Sequence, residues 1–262
     1  MPAKVTLDLD GALAVISLAN PPLNLLDREL VEDFGAAVDG ALSGPARAVL
    51  LRADGPYFSG GADVALFQGM SAADARTAFR AWIPFVQRLE DAPVPTVAAV
   101  HGLCLAGGLE LALACDLIIA AEGTRLGQTE ASIATTTLLG GAQRIAQRAG
   151  VARARSICYS AAMYDAARFV EWGIVDHTVP ADELQAHALA FARDLANGPT
   201  RAHAAAKALI RISAANGVRA ADAFLLDGVV DLFETADMRH GVDTLLARGA
   251  RTFREHTTYV GR

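Results

Sequence analysis

The chain has 262 residues and a mass of 27.3 kDa, enough for one large domain or for a domain with an appendage. Its hydrophobic content of 53% and charged content of 20% are typical of an ordered globular protein and argue against a disordered one. A formal net charge of −6 argues against broad binding to nucleic acids or anionic membranes, although a few basic groups could still hold a small anion. No apolar stretch is long enough for a membrane span, and the N-terminus lacks a signal-peptide pattern, so we expect a cytoplasmic protein.

The residue types that usually hold metals or form disulfides are few and scattered. Cys104, Cys115 and Cys158 show no C-x-x-C spacing and cannot all pair, so we expect buried, reduced thiols. The six histidines have no ligand spacing either. We therefore expect no metal and no cofactor.

The first elements in chain order are a hairpin, a helix and a strand. Residues 5–10 and 13–18 alternate apolar and polar side chains around Asp10-Gly11, which predicts a β-hairpin. Asp27 is a suitable N-cap for an amphipathic helix that reaches about residue 42. Residues 48–52 then predict a buried strand.

The middle of the chain repeats this alternation. Ser71 can cap a second helix that reaches about residue 91, with a kink expected at Pro84. Buried strands are predicted at 96–100 and 117–121, on either side of a helix at 107–115. Strands that alternate with helices indicate a layered α/β fold.

The pattern changes to helices alone near residue 181. The helices are predicted at 181–197, 200–215, 219–234 and 237–247. We therefore divide the chain into an α/β core at 1–195 and a helical region at 196–262. The many apolar side chains of this region predict a surface buried against the core or against another subunit.

Two glycine-rich turns carry the candidate chemistry. One is FSGGAD at 58–63 and the other is GLCLAGGLE at 102–110. Glycine lets backbone N–H groups approach a ligand closely, and two such turns could direct two donors at one carbonyl oxygen. Glu110 follows the expected helix start near Gly107, and Glu130 lies one strand and one turn later, so both carboxyl groups could reach the same pocket for proton transfer. Either glutamate alone could equally be a first-turn acid or a solvated charge.

The order of these motifs resembles the crotonase superfamily, the enoyl-CoA hydratase/isomerase family. The resemblance extends over nearly the whole chain and rests on NPPLNLL at 20–26, FSGGADV at 58–64, PTVAAVHG at 95–102, AGGLELA at 106–112 and GQTE at 127–130. It implies a crotonase-like α/β fold, a spiral of ββα units with a C-terminal helical trimerisation region. It also implies a homotrimer or a dimer of trimers.

The resemblance further implies the residues of an active site. The oxyanion hole would consist of the Gly60 and Gly107 backbone N–H groups, and the two catalytic acids would be Glu110 and Glu130. Coenzyme A, as part of the substrate, would contact Leu23, Asn24, Leu25, Ala62, Asp63, Val64 and, from a neighbouring subunit, Arg248.

The implied reaction is the syn addition of water to a 2-enoyl-CoA thioester. One acid would take a proton from the water, and Glu130 would serve the proton at Cα. The sequence departs from the family pattern at TTTLL, 135–139, where Leu138 replaces a glycine whose N–H helps to hold the water. A Δ3-Δ2 enoyl-CoA isomerase and a catalytically weak acyl-CoA-binding trimer therefore remain alternatives.

Overall fold

The computed structural model describes residues 3–262. The strands are β1 (Val5–Asp10), β2 (Leu13–Leu18), β3 (Ala48–Ala53), β4 (Thr96–Val100), β5 (Leu103–Leu105), β6 (Leu117–Ala121), β7 (Arg125–Gly127), β8 (Tyr164–Asp165) and β9 (His177–Val179). The α-helices are α1 (Arg28–Ser43), α2 (Ala72–Glu90), α3 (Gly107–Leu113), α4 (Gly141–Ala149), α5 (Val151–Ser160), α6 (Ala166–Glu171), α7 (Leu184–Ala196), α8 (Thr200–Asn216), α9 (Val218–Phe224) and α10 (Ala236–Arg248). Short 3-10 turns lie at Val64–Phe67, Glu130–Ile133, Val230–Glu234 and Phe253–His256.

The main sheet has six strands in the order β1-β2-β3-β4-β6-β9. The β1–β2 hairpin is antiparallel, with Asp10 opposite Leu13, and every other pair in this sheet is parallel. The hairpin prediction is confirmed, and so is the mixed α/β class.

Helices cover both faces of this sheet. On one face, α1 buries Leu30, Phe34 and Val38 in the larger hydrophobic core. On the other face, α7 packs Leu184 and Ala188 in a second core. Because both faces are buried, the inner strands are apolar on both sides, which is why their sequences show no alternation.

Side chains cap the two helices for which the sequence predicts a capping residue, α1 and α2. The Asp27 carboxylate accepts a hydrogen bond from the Leu30 amide at 2.8 Å. Ser71 and Asp74 form a reciprocal capping box at the start of α2. Pro84 lies within α2, which continues to Glu90.

A second sheet of three short strands, β5-β7-β8, was not predicted. Its first strand lies inside the second glycine-rich turn, in a stretch that the sequence suggests is a loop. Cys104 pairs with Ser59 in an isolated parallel bridge, and the Leu105 amide donates to the Ser59 carbonyl at 3.0 Å. The backbone pairing brings the two glycine-rich turns side by side.

The C-terminal region is helical, but the helix predicted at 219–234 is divided. After α9, residues 225–229 form a π-helical turn, and a 3-10 turn completes the segment. The Phe224 ring packs so closely on Gly228 that a Cβ there would lie 2.1 Å from the ring. The glycine and this contact explain why a regular helix does not continue.

Polar contacts join the C-terminal region to the rest of the chain. The Arg47 guanidinium donates to Thr200 Oγ1 at 2.7 Å and to the Tyr259 carbonyl at 3.0 Å. Lys207 of α8 forms an ion pair with Asp116 at 2.9 Å. The boundary at residues 195 and 196 stays a prediction.

Cys104 and Cys115 are buried free thiols, and Cys158 is partly buried. Burial raises the pKa of both buried thiols. Within residues 3–262, there is no group of three or more His, Cys, Asp or Glu side chains that could hold a metal ion. In the same residues, no helix has both the length and the apolar character needed to cross a membrane.

Candidate active site

The two glycine-rich turns approach each other so closely that side chains are excluded between them. A Cβ at Gly108 would lie 2.5 Å from the Ser59 Cβ, and a Cβ at Gly61 would lie 2.8 Å from the Ala106 Cβ. Gly61 also has a φ of 99°, a conformation that favours glycine. Glycine is therefore required where the turns meet.

Two backbone amides face the space between the turns. Leu26 forms a bridge with Ala62, in which the Leu26 amide donates to the Gly61 carbonyl and the Asp63 amide donates to the Leu26 carbonyl. The Ala62 amide lies between these two bonds and is directed away from the pairing. Gly107 is the first residue of α3, where an N–H group has no partner within the helix. Within residues 3–262, neither amide donates a hydrogen bond, and a Cβ at Gly107 would lie 3.7 Å from the Ala62 nitrogen.

The prediction that Gly60 supplies a free amide is wrong. Its N–H donates to the Leu23 carbonyl at 2.8 Å, so it is already occupied. The available donor is two residues later, at Ala62. The sequence could not distinguish these amides, because only the pairing of residues 23–26 with this turn determines which N–H groups are consumed.

Ala106 presents the Gly107 amide through an unusual backbone conformation. Its φ of 48° and ψ of −125° are unfavourable for a residue with a Cβ. The Ala106 amide donates to the Gly127 carbonyl at 2.9 Å, which fixes the turn to strand β7. The strain is located at the residue that orients the amide donor.

Glu110 lies in the first turn of α3 and is only 3% exposed. Its Oε1 accepts hydrogen bonds from the Leu139 amide at 2.8 Å and from the Gly141 amide at 2.7 Å. Burial raises the pKa of this carboxyl, while the hydrogen bonds from Gly141 and Leu139 act to lower it. The loop that departs from the family pattern therefore holds a carboxyl group with its amides.

Glu130 starts the 3-10 turn after β7 and lies in the same cavity as Glu110. Burial, together with the nearby Glu110 charge, raises its pKa to about 7. Gln128 is 1% exposed, and its amide lies 2.7 Å and 3.1 Å from the two carboxyl oxygens when its nitrogen faces them. Gln128 lies in the GQTE motif, where a polar residue between glycine and the acid was the only signal for this contact.

Both carboxyl groups and both free amides line one cavity of about 780 Å³, part of which is open to solvent. Its remaining wall is largely apolar and includes Leu26, Val31, Leu66, Phe67, Phe79, Trp82 and Leu139. Such a site combines a hydrophobic space with a few convergent polar groups, as small-molecule sites do. The amides can stabilise a developing oxyanion, and the carboxyl groups can transfer protons.

The residues predicted to contact coenzyme A have different surroundings. Asn24 is fully buried, and its side chain bonds to the backbone of Asn20, Asp54 and Tyr57. Its φ of 45° and these bonds indicate that it shapes the loop.

The other predicted residues are at least partly exposed to solvent. Leu23 and Val64 are 36% and 60% exposed, and Ala62 and Val64 line the cavity. The Asp63 carboxylate caps the following turn by accepting from the Ala65 amide at 3.0 Å. Coenzyme A contacts at Leu23, Asn24, Leu25, Ala62, Asp63 and Val64 stay predictions.

Arg248 lies in the last turn of α10 and is not part of the cavity wall in this chain. Its predicted contact involves a neighbouring subunit. That contact stays a prediction.

Comparison with known proteins agrees with this fold. Residues 8–256 match the family model described as enoyl-CoA hydratase/isomerase. A probable enoyl-CoA hydratase, EchA17 of Mycobacterium tuberculosis, is 34% identical over 200 residues, which are 76% of this chain and 77% of the relative. A probable enoyl-CoA hydratase, EchA8 of Mycobacterium bovis, is 29% identical over 260 residues, 95% of this chain and 97% of the relative.

Solved structures show the same similarity. The enoyl-CoA hydratase from Bacillus anthracis has a TM-score of 0.89 and 28% identity, covering 99% of this chain and 100% of that one. DspI from Pseudomonas aeruginosa has a TM-score of 0.89 and 28% identity, covering 94% of each chain. The fold and its cavity thus define a crotonase-fold protein. The chain belongs to the enoyl-CoA hydratase/isomerase family, which confirms the resemblance.

Proposed function

We propose that this protein is an enoyl-CoA hydratase that adds water across the double bond of a 2-enoyl-CoA thioester. The observation that carries the proposal is the convergence of the Ala62 and Gly107 amides with Glu110 and Glu130 on one cavity. The names of the relatives also support it, since several are called probable enoyl-CoA hydratases.

The thioester oxygen would accept hydrogen bonds from the two amides, which stabilises the enolate that forms as water attacks Cβ. One such donor typically contributes about 2.7–4 kcal/mol to lowering the barrier. The N–H of Gly107 also lies at the positive end of the α3 dipole, which favours an anion.

The two carboxyl groups would share the proton transfers. Glu110, whose Oε1 is held by two amides, would act as the carboxylate that takes a proton from the attacking water. Glu130, with a pKa of about 7, is partly protonated near neutral pH and would deliver a proton to Cα. The pair thus holds one proton throughout: Glu130 carries it before the reaction, and Glu110 carries one after it.

A panel of 2-enoyl-CoA thioesters with mass-spectrometric detection tests this function directly. We expect a product heavier by one water molecule. Glu110→Gln and Glu130→Gln should each lower kcat by about 10²-fold or more, whereas Glu122→Gln, at an exposed carboxyl outside the cavity, should leave kcat unchanged. If both cavity variants kept wild-type turnover, the assignment would be wrong.

A Δ3-Δ2 enoyl-CoA isomerase is the second candidate. The tight enclosure of Glu110 favours it, because Glu130 is the less buried of the two acids and could shuttle a proton between carbons alone. The test is a 3-enoyl-CoA substrate with the Glu110→Gln variant. Migration of the double bond without gain of water, retained in this variant and lost in Glu130→Gln, would establish the isomerase.

A further inference from the structure

A groove continues from the candidate active-site cavity along the first half of helix α2. It measures about 1230 Å³, including its open side. The residues that line both spaces are Phe67, Phe79, Ile133, Thr135 and Leu138. The two spaces therefore adjoin, so an acyl chain that passed between these side chains would enter the groove.

The lining of this groove also includes polar side chains and one positively charged side chain. Arg76 lines it together with Ser71 and Thr137. The exposed Arg76 guanidinium makes one long hydrogen bond, 3.5 Å, to the Ala72 carbonyl, and no carboxylate pairs with it among residues 3–262. Asp74, the nearest acid in sequence, is engaged with Ser71 in the capping box.

Building on the proposed function, we propose that the preferred substrates are CoA thioesters whose acyl chain ends in a carboxylate, which pairs with Arg76. A guanidinium is a suitable partner because it binds a carboxylate through two parallel hydrogen bonds. The three-residue step from Phe79 back to Arg76 corresponds to about 4.5 Å along the helix. The carboxylate would thus lie roughly one helical turn beyond the apolar wall, which suits a chain of medium length.

Saturated thioesters test this inference without requiring catalysis. Titration calorimetry would compare hexanoyl-CoA with adipoyl-CoA and decanoyl-CoA with sebacyl-CoA, each pair differing by the terminal carboxylate. We expect the wild-type protein to bind at least one carboxylate-ended member about fivefold more tightly, the scale of one exposed ion pair, and the preference to weaken at high salt. Arg76→Gln should abolish the preference, and Arg76→Glu should reverse it.

Arg80→Gln is the matched control, since Arg80 lies one turn further along the same helix and does not line the groove. This variant should keep the preference. Equal binding of paired thioesters by the wild type, or a preference that survives Arg76→Gln, would overturn the inference while leaving the hydratase proposal intact. Failure to bind any of the four thioesters would instead overturn the proposed function, and the inference with it.

Discussion

The amide of Gly107 can be removed without altering any catalytic side chain. Gly107 occupies the first position of α3, where proline is well tolerated because the N–H has no partner within the helix. We expect Gly107→Pro to lower kcat by at least about 10²–10³-fold, because one oxyanion donor is lost and the ring Cδ takes the place of the amide proton. Steady-state kinetics with a 2-enoyl-CoA measures the loss.

Gly107→Ala is the control for this substitution. Its added Cβ would lie 3.6 Å from Leu26 Cδ1, an ordinary contact, and it retains the N–H group. The alanine variant should therefore keep most of the activity. Equal activity of the two variants would show that this amide does not contact the reacting oxygen.

Glu130 should make the stability of the protein depend on pH. Its pKa is raised from 4.5 to about 7 in the folded protein, so the protonated form favours folding. This stabilisation is fully present below about pH 4.5 and is lost as the pH rises through about 7. Glu130→Gln, which cannot ionise, should melt higher than the wild type by roughly 2–4 °C at about pH 8 and show no such gain at about pH 4.

Scanning calorimetry at the two pH values measures this difference. Glu122→Gln serves as the control, because it makes the same substitution at an exposed carboxyl outside the cavity. A gain in melting temperature that is the same at both pH values would contradict the titration of Glu130 as its cause.

The loop from residue 134 to α4 holds Glu110 through backbone amides. The position of Glu110 therefore depends on the backbone conformation of this loop more than on the loop's side chains. Gly141 is the first residue of α4, and a Cβ there would clash with the Gln128 side-chain amide and lie 3.0 Å from Glu110 Cγ. We expect Gly141→Ala to displace both side chains, lowering kcat at least tenfold and the free energy of unfolding by about 1–3 kcal/mol.

Enzyme kinetics and denaturant unfolding measure both effects of this change. The control is Gly44→Ala, with a φ of −92° and a nearest contact of 3.4 Å, which should be close to neutral in both. Wild-type activity in Gly141→Ala would mean that the position of Glu110 does not depend on this loop.

Secondary structure followed from local patterns where the local signal was strong. The Asp10-Gly11 turn fixed the hairpin, and the capping side chains Asp27 and Ser71 fixed two helix starts. The strand β5 has no local signal, because it has three residues and depends on pairing with residues 125–127, which are distant in sequence. The π turn at 225–229 likewise depends on how Phe224 packs against Gly228.

At the scale of the whole molecule, the C-terminal helices leave large apolar side chains exposed in the single chain. The most exposed include Ile210, Leu226, Phe233 and Leu246, at 70%, 78%, 65% and 80%. Such exposure favours association, and we propose a homotrimer or a dimer of trimers. Light scattering coupled to size-exclusion chromatography should give a mass of three or six chains of 27.3 kDa.

Substitutions on this surface test where the contact lies. Phe233→Lys together with Leu246→Lys should shift the mass towards that of one chain. The control is Val151→Lys on α5, 57% exposed, which should leave the assembly unchanged. A single-chain mass for the wild-type protein would contradict the trimer.

The order of motifs along the chain determined the family, the α/β class and the two acidic residues that face one cavity, because these depend on residue type and local periodicity. Tertiary structure decided which amides remain free. Gly60 and Ala62 differ little as sequence, yet pairing with residues 23–26 occupies the first amide and leaves the second exposed to the cavity. Hydrogen bonding between distant segments settles that difference, since each backbone N–H carries a single proton and a bond made elsewhere removes it from the site.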